Sequence, residues 1–223
     1  MKSNLKSLSD QPADYFSNVR MDMLKYIPQD VHTTLEFGCG FGGFSALLKE
    51  RFGTESWAVE KEPAVAEQAA NKLDRVISSD AASCLAELPD NYFDCIMFFD
   101  VLEHLADPYS LLLSSKTKLA AGGAIVASIP NVRYYRTLVD LVMHGNWDYK
   151  NHGPLDKTHL RFFTFKSIAK MFRQLGFDVV TLEGIHPTSS RTYKVLNGLL
   201  LGLLFDVKYK QFAVVATPRT DGQ

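Results

Sequence analysis

Four carboxylates stand where runs of strand-type residues end: Glu36, Glu60, Asp80 and Asp100. Between the first two lies FGCGFGGF, residues 37–44, with Gly38, Gly40 and Gly43 in a GxGxxG spacing. Such glycines let the backbone turn tightly and let a ligand approach the main chain without a Cβ in the way. The helix that follows offers unpaired N–H groups at its start. Glu60 lies 22 positions after Gly38, where a carboxylate can accept both hydroxyls of a ribose. Together these features ask for an adenosine-type cofactor and do not by themselves choose between NAD and an adenosyl sulfonium. Glu36, two residues before the first glycine, separates the two: it suits a ligand ammonium group and repels a pyrophosphate. Asp80 is placed to reach an adenine amine. An edge lined by four acids fits a cationic sulfonium with an amino-acid tail better than a polyanionic dinucleotide.

A second group of residues suits an acceptor. Histidine is the usual general base when a hydroxyl must lose its proton near neutral pH. His104, after Glu103 at the start of a short helix, and His159, in LDKTHLRFF, are the catalytic candidates. His152 is a weaker one. Asp100, Glu103 and His104, with His152 or His159, are also chemically acceptable ligands for magnesium or manganese. Acid-rich edges of this kind are usually metal-free, and the expectation is a site without metal. Tyr134, Tyr135, Trp147 and Tyr149 could wall an acceptor pocket or form a satellite core. Arg133, Arg136 and Arg161 could grip a phosphate or carboxylate.

The elements that position these residues follow from pattern and punctuation. Strands are predicted at Thr33–Phe37, Glu55–Glu60, Arg75–Ser78, Tyr92–Phe99, Ala124–Ile129, Asp178–Gly184 and Gln211–Thr217. YFDCIMFF is nearly all apolar, the composition of a strand buried on both faces. Helices are predicted at Pro12–Ile27, Phe44–Phe52, Pro63 to about Leu73, Ala81–Leu88, Tyr109–Leu119 and Phe165–Leu175, the last with Thr164 as N-cap. The alternation predicts an α/β fold with a doubly wound sheet. The chain is divided into an N-terminal helical segment, residues 1–28, and one domain over 29–223 with an acceptor-side insert at about 130–163.

Composition removes several function classes. The formal net charge of −1 gives no global field for nucleic acid, so no nucleic-acid partner is expected. The three cysteines, Cys39, Cys84 and Cys95, form no CxxC pair, so neither a zinc ribbon nor a disulfide framework is indicated. Free thiols and an N-terminus without an apolar run lead to the expectation of a cytoplasmic protein without a signal peptide. The longest apolar run, Val195–Phe205, is too short to span a bilayer. It reads as a helix buried on the sheet or at a homodimer interface, with a membrane-surface contact as the alternative.

EFGCGFGGF resembles the first motif of class I S-adenosylmethionine-dependent methyltransferases, VEKEP their second, SSDAAS their third and FDCIMFFDVLEHLADP their fourth. LAAGGAIVASIPN is similar to the glycine turn and fifth strand that follow. GPLDKTHLRFFT resembles a bacterial subgroup associated with small-molecule or glycan chemistry. The resemblance covers roughly residues 30–217. It implies a Rossmann-like methyltransferase fold: a seven-stranded sheet whose last strand is antiparallel, inserted between two parallel ones. It also implies S-adenosylmethionine as cofactor. Glu36, Gly38 and Gly40 would line the methionine end, and Glu60 would hold the ribose with Lys61 beside the adenine. Asp80 and Ala81 would contact the adenine, and Phe99 and Asp100 would sit below the sulfonium. The expected activity is methyl transfer to an oxygen, less readily a nitrogen or carbon, of a small-molecule or glycan-type acceptor. The alternatives are an NAD-type oxidoreductase, which predicts no antiparallel insertion, and a non-catalytic protein that binds an adenosyl cofactor.

Overall fold

The computed structural model describes residues 19–199 and 202–219. Seven strands form one sheet: β1 Thr33–Phe37, β2 Glu55–Glu60, β3 Arg75–Ser78, β4 Phe93–Phe99, β5 Leu119–Pro130, β6 Phe177–Pro187 and β7 Tyr209–Pro218. Hydrogen-bonded neighbours run β3-β2-β1-β4-β5-β7-β6. β1 pairs in parallel with β2 and β4, and β2 with β3. β7 lies between β5 and β6 and is antiparallel to β6. That insertion is what the methyltransferase resemblance implies and what the dinucleotide alternative does not predict. The helices are α1 Gly43–Phe52, α2 Pro63–Ala70, α3 Pro108–Lys118, α4 Tyr135–His144, α5 Phe165–Gln174 and α6 Arg191–Leu199.

Contacts group the chain into two units: residues up to Phe99 with Ser110–Val126, and Asp100–Tyr109 with Ala127 onward. The core of the first is the β1–β4 pair. Phe37 and Phe98 are register partners, and their rings stack at 4.8 Å; such a pair adds about 1 kcal/mol beyond its burial. The amino end of β1 is fixed by Asp94, whose carboxylate accepts from the His32 and Thr33 N–H groups at 2.8 and 2.9 Å. Burial pushes that carboxyl up, but these bonds outweigh it and hold it below its ordinary value. In the second unit α5 begins with a capping box: the Ser167 N–H donates to Thr164 Oγ1, and the Thr164 N–H to Ser167 Oγ. Gly184 lies under the Tyr209 ring, where an added Cβ would come within 2.1 Å of ring carbons.

Four predicted elements differ from the structure, and one helix was not predicted. Before Pro28, the described residues form a 3₁₀ helix, Met21–Tyr26, because Ile27 must be extended ahead of the proline. The rest of the predicted helix at Pro12–Ile27, up to residue 18, lies outside the described residues. The helix expected at Ala81–Leu88 shrinks to a 3₁₀ turn, Cys84–Glu87. Asp80 Oδ1 accepts from the Ala82 N–H at 3.1 Å, forming an Asx turn, and Leu88 is extended before Pro89. Gly122 and Gly123 do not end α3. The Asn91 and Tyr92 N–H groups capture the Thr117 and Lys118 carbonyls, and β5 starts at Leu119 with both glycines inside it. Gly123 is required there, since a Cβ would stand 2.8 Å from the Phe93 carbonyl oxygen. α4 was not predicted. The available signal was Tyr135, Leu138, Val139 and Val142 at helical spacing, although in the structure its one buried residue is Thr137 and Leu141, Val142 and Met143 are exposed. Of the run Val195–Phe205, the described Val195, Leu203 and Phe205 are exposed on the single chain rather than buried on the sheet; α6 ends at Leu199 and residues 202–208 form turns. No helix among the described residues is long and apolar enough to cross a membrane.

Candidate functional site

The first unit carries the glycine turn and two carboxylates. Glu36, one residue from the end of β1, and Glu60, the last residue of β2, are 4% and 6% exposed. Gly38, Gly40 and Gly42 have φ of 69°, 55° and 71°, a left-handed region that L-residues with a Cβ enter at a cost. Gly42 rather than Gly43 makes the αL entry into α1, and its missing Cβ leaves room for Leu73 and Ala69. Glu60 reaches back over the turn: Oε2 accepts from the Gly40 N–H at 2.9 Å, and Oε1 from the Glu62 N–H at 3.1 Å. The Ser45 hydroxyl, on α1, donates to Glu36 Oε2 at 2.5 Å.

Burial pushes the Glu36 carboxyl up to about 7, with the Glu60 charge adding to the rise and the Ser45 bonds opposing it. Burial raises Glu60 as well, against the backbone N–H groups of Glu62 and Gly40. Two buried acids, each raised by burial and Glu36 further by the charge of Glu60, stand side by side with hydroxyl and backbone N–H donors as their partners. A cation placed beside them relieves the cost of burying their charge. A ligand bearing an ammonium group and ribose hydroxyls fits this donor and acceptor set; a pyrophosphate does not. Lys61 and Asp80, at the ends of β2 and β3, are exposed and lie 3.6 Å apart. Ala81 follows in the turn after Asp80, half-buried. Phe99 closes β4, buried edge-on against Phe44 of α1 at 5.0 Å. All these residues occupy the carboxyl ends of parallel strands or the loops just after them, the edge where open α/β sheets bind ligands.

The second unit opens with Asp100, which has φ of 56°. Its Oδ1 accepts from Gln211 Nε2 at 2.7 Å and from Ser128 Oγ at 3.3 Å. A 3₁₀ turn, Leu102–His104, follows. The Glu103 carbonyl accepts from the N–H groups of Leu160 and Arg161 at 2.8 and 3.0 Å, which brings THLRFF onto this turn. The His104 and His159 rings then meet edge to face, with centroids 4.8 Å apart. His104 Nδ1 lies 3.3 Å from the Thr158 carbonyl oxygen and His159 Nδ1 3.3 Å from that of Pro154. A carbonyl only accepts, so each Nδ1 is the protonated nitrogen and each Nε2 keeps its lone pair. Burial lowers both imidazoles below their ordinary value, and for His159 the neighbouring His104 adds to this; Asp156, Asp100 and the carbonyls oppose it. Both rings are therefore neutral at neutral pH.

Glu103, 1% exposed, places Oε1 3.9 Å from His159 Nε2. Sequence reasoning named it only in the setting of a metal and left it out of the catalytic pair. The Glu-His dipeptide was the available signal. Ser45 was missed altogether, because a serine in a helix carries no mark of the acid it will face. His152 is exposed and stands apart from this cluster. Arg133 is tied to the buried Asp206 at 2.8 Å, and Arg161 donates to the Ala106 carbonyl. Two of the three arginines considered for an acceptor anion thus have structural partners. Trp147 and Tyr149 pack on Phe162, with centroids 5.7 and 6.3 Å away.

A family model described as "Methyltransferase domain" matches residues 9–182. A ubiquinone biosynthesis O-methyltransferase of Aeromonas salmonicida is 25% identical over 78% of this chain and 73% of its own. The crystal structure of a SAM-dependent methyltransferase from Archaeoglobus fulgidus is 26% identical, covers 87% of this chain and 90% of its own, and superposes with a TM-score of 0.67. An S-adenosylmethionine-dependent methyltransferase from Mesorhizobium loti, 18% identical, covers 93% and 98% with a TM-score of 0.60 and bears on the fold alone.

Proposed function

Since the chain belongs to the methyltransferase-domain family and is a class I S-adenosylmethionine-dependent methyltransferase, we propose that it methylates an oxygen of a small-molecule or glycan-type acceptor. When bound, the cofactor supplies a methyl group on a sulfonium, already activated for in-line displacement. The protein's task is then to align the acceptor and to exclude water.

In this reading Glu36, Gly38 and Gly40 hold the amino-acid end of the cofactor, and Glu60 holds the ribose in place of its present backbone donors. Lys61, Asp80 and Ala81 flank the adenine, and Phe99 and Asp100 lie below the sulfur. His104 and His159 work on the acceptor oxygen, whose proton must leave for the transfer to go forward. The observation that carries the choice of oxygen is the pair of neutral imidazoles, His159 buried and His104 half-buried, each with Nδ1 turned to a carbonyl and Nε2 available. An amine acceptor, nucleophilic once deprotonated, has less need of such a pair. The named activity of the Aeromonas salmonicida relative, O-methylation in ubiquinone biosynthesis, agrees in reaction type.

The test is transfer from methyl-labelled S-adenosylmethionine to a panel of phenols, catechols, sugars and amines, with the product site read by mass spectrometry. Label on hydroxyl oxygens is expected. Label confined to amines or carbon would refute the oxygen assignment while leaving the family untouched.

A further inference from the structure

We propose that Glu103, His104 and His159 form a binding site for one divalent transition-metal cation of the zinc class, which seats the acceptor's oxygen. The inference rests on the oxygen acceptor of the reading above but gives the two imidazoles a different task, as metal ligands in place of proton acceptors, and it departs from the metal-free site that the sequence led us to expect.

One carboxylate oxygen and one nitrogen from each ring lie within 4.8 Å of one another, and Glu103 and His159 are buried. Two imidazoles and one carboxylate match a common catalytic donor set, with positions left open for water or substrate. Magnesium prefers an all-oxygen set, so the imidazoles favour a softer ion. The outer contacts are of the kind metal-binding histidines make: each Nδ1 faces a backbone carbonyl, at 3.3 Å in both rings. That fixes the tautomer and leaves Nε2 as the ligand. The carbonyls of Thr158 and Pro154 are themselves held, because residues 154–159 form a tight turn. In that turn Asp156 Oδ1 accepts from the Thr158 N–H and hydroxyl at 2.9 and 2.6 Å. Ligands of one ion at about 2.1 Å stand roughly 3.0–3.4 Å apart, so the widest pair must close by about 1.5 Å, within reach of side-chain rotation. With one carboxylate as the only anionic ligand, the ion keeps a net positive charge toward an incoming hydroxyl. A bound hydroxyl loses its proton to solvent at a lower pH than a free one. The oxygen's electron pair then forms the new bond to the methyl carbon as the carbon–sulfur bond breaks, and that pair stays on sulfur.

The experiment is equilibrium dialysis of chelator-treated, desalted protein against ZnCl2 alone, with MgCl2 as comparison, on the wild type and on Glu103→Gln, His104→Ala and His159→Ala. One zinc per chain is expected, bound more tightly than magnesium. Each of the three variants should weaken it by about 10- to 100-fold or more, while His152→Ala leaves it unchanged. His159 is buried and its variant can fail to fold; His104→Ala and Glu103→Gln then carry the test, with the melting temperature as the check on folding. Wild-type protein that retains no zinc at micromolar concentrations overturns the proposal, as do folded variants that bind zinc as the wild type does. Calorimetry with S-adenosylhomocysteine on the same samples keeps the readings apart. Failure there strikes the cofactor assignment and not the metal, and zinc binding without oxygen methylation strikes the choice of acceptor alone.

Discussion

Replacing Glu36 by Gln should abolish a pH dependence of cofactor binding that the wild type shows. In the folded, ligand-free protein burial holds this carboxyl up at about 7. An ammonium group at about 4 Å, at an effective dielectric near 20, favours the ionised form by roughly 4 kcal/mol, enough to bring it back to the ordinary carboxylate range. Binding therefore expels the proton. At pH 6 about nine-tenths of the free protein carries it, and at pH 8 about one-tenth. Affinity for S-adenosylhomocysteine should rise nearly tenfold per pH unit below 7 and flatten above, so that binding at pH 5.5 is roughly 30-fold weaker than at pH 8. Calorimetry in buffers of different ionisation enthalpy at pH 6 should report close to one proton released. Glu36→Gln should remove this slope, leaving only what Glu60, also raised by burial, contributes. Wild-type affinity that is flat between pH 5.5 and 8, or an equal slope in the variant, would show that no ligand cation sits beside Glu36.

The same carboxyl sets a stability effect. Its folded value lies above the unfolded one, so the ligand-free protein gains stability below about pH 4.5, loses it as pH rises to 7, and bears the full charge-burial cost above that, roughly 3 kcal/mol. Glu36→Gln should flatten the melting temperature over this window and raise it at pH 8. Glu60→Ala removes two charge-assisted bonds to ribose hydroxyls, so S-adenosylhomocysteine affinity should fall by about 100-fold; unchanged affinity refutes the ribose assignment. Gly184→Ala forces a Cβ into the Tyr209 ring and should destabilise by about 2 kcal/mol or more in denaturant titrations. Thr164→Ala removes the capping box of α5 and should cost about 1 kcal/mol in the same assay.

The strands β1 to β4 were legible to within a residue because each is a short run with β-branched, aromatic or other apolar residues between clear punctuation. Gly38, Gly53, Pro63 and Asp80 each mark an end by a backbone requirement that no distant contact alters. The position of β7 between β5 and β6 came from resemblance; spacing alone does not order strands. What stayed hidden depends on partners far away in sequence. The start of β5 is decided by Asn91 and Tyr92 taking the last carbonyls of α3. The meeting of Glu103 with His159 is decided by backbone bonds from Leu160 and Arg161. α4 was legible in the helical spacing of Tyr135, Leu138, Val139 and Val142 and was overlooked inside a segment read as an irregular insert. At the candidate site the carboxylates could be read individually, but their mutual influence could not. The rise at Glu36 comes first from burial among residues distant in sequence.

The most direct test of the account is a pair of calorimetric titrations of the wild-type chain, one with S-adenosylhomocysteine and one with NAD. The buried acids beside the glycine turn predict saturable one-site binding of the first and no heat from the second. Binding of NAD, with S-adenosylhomocysteine giving none, would contradict it.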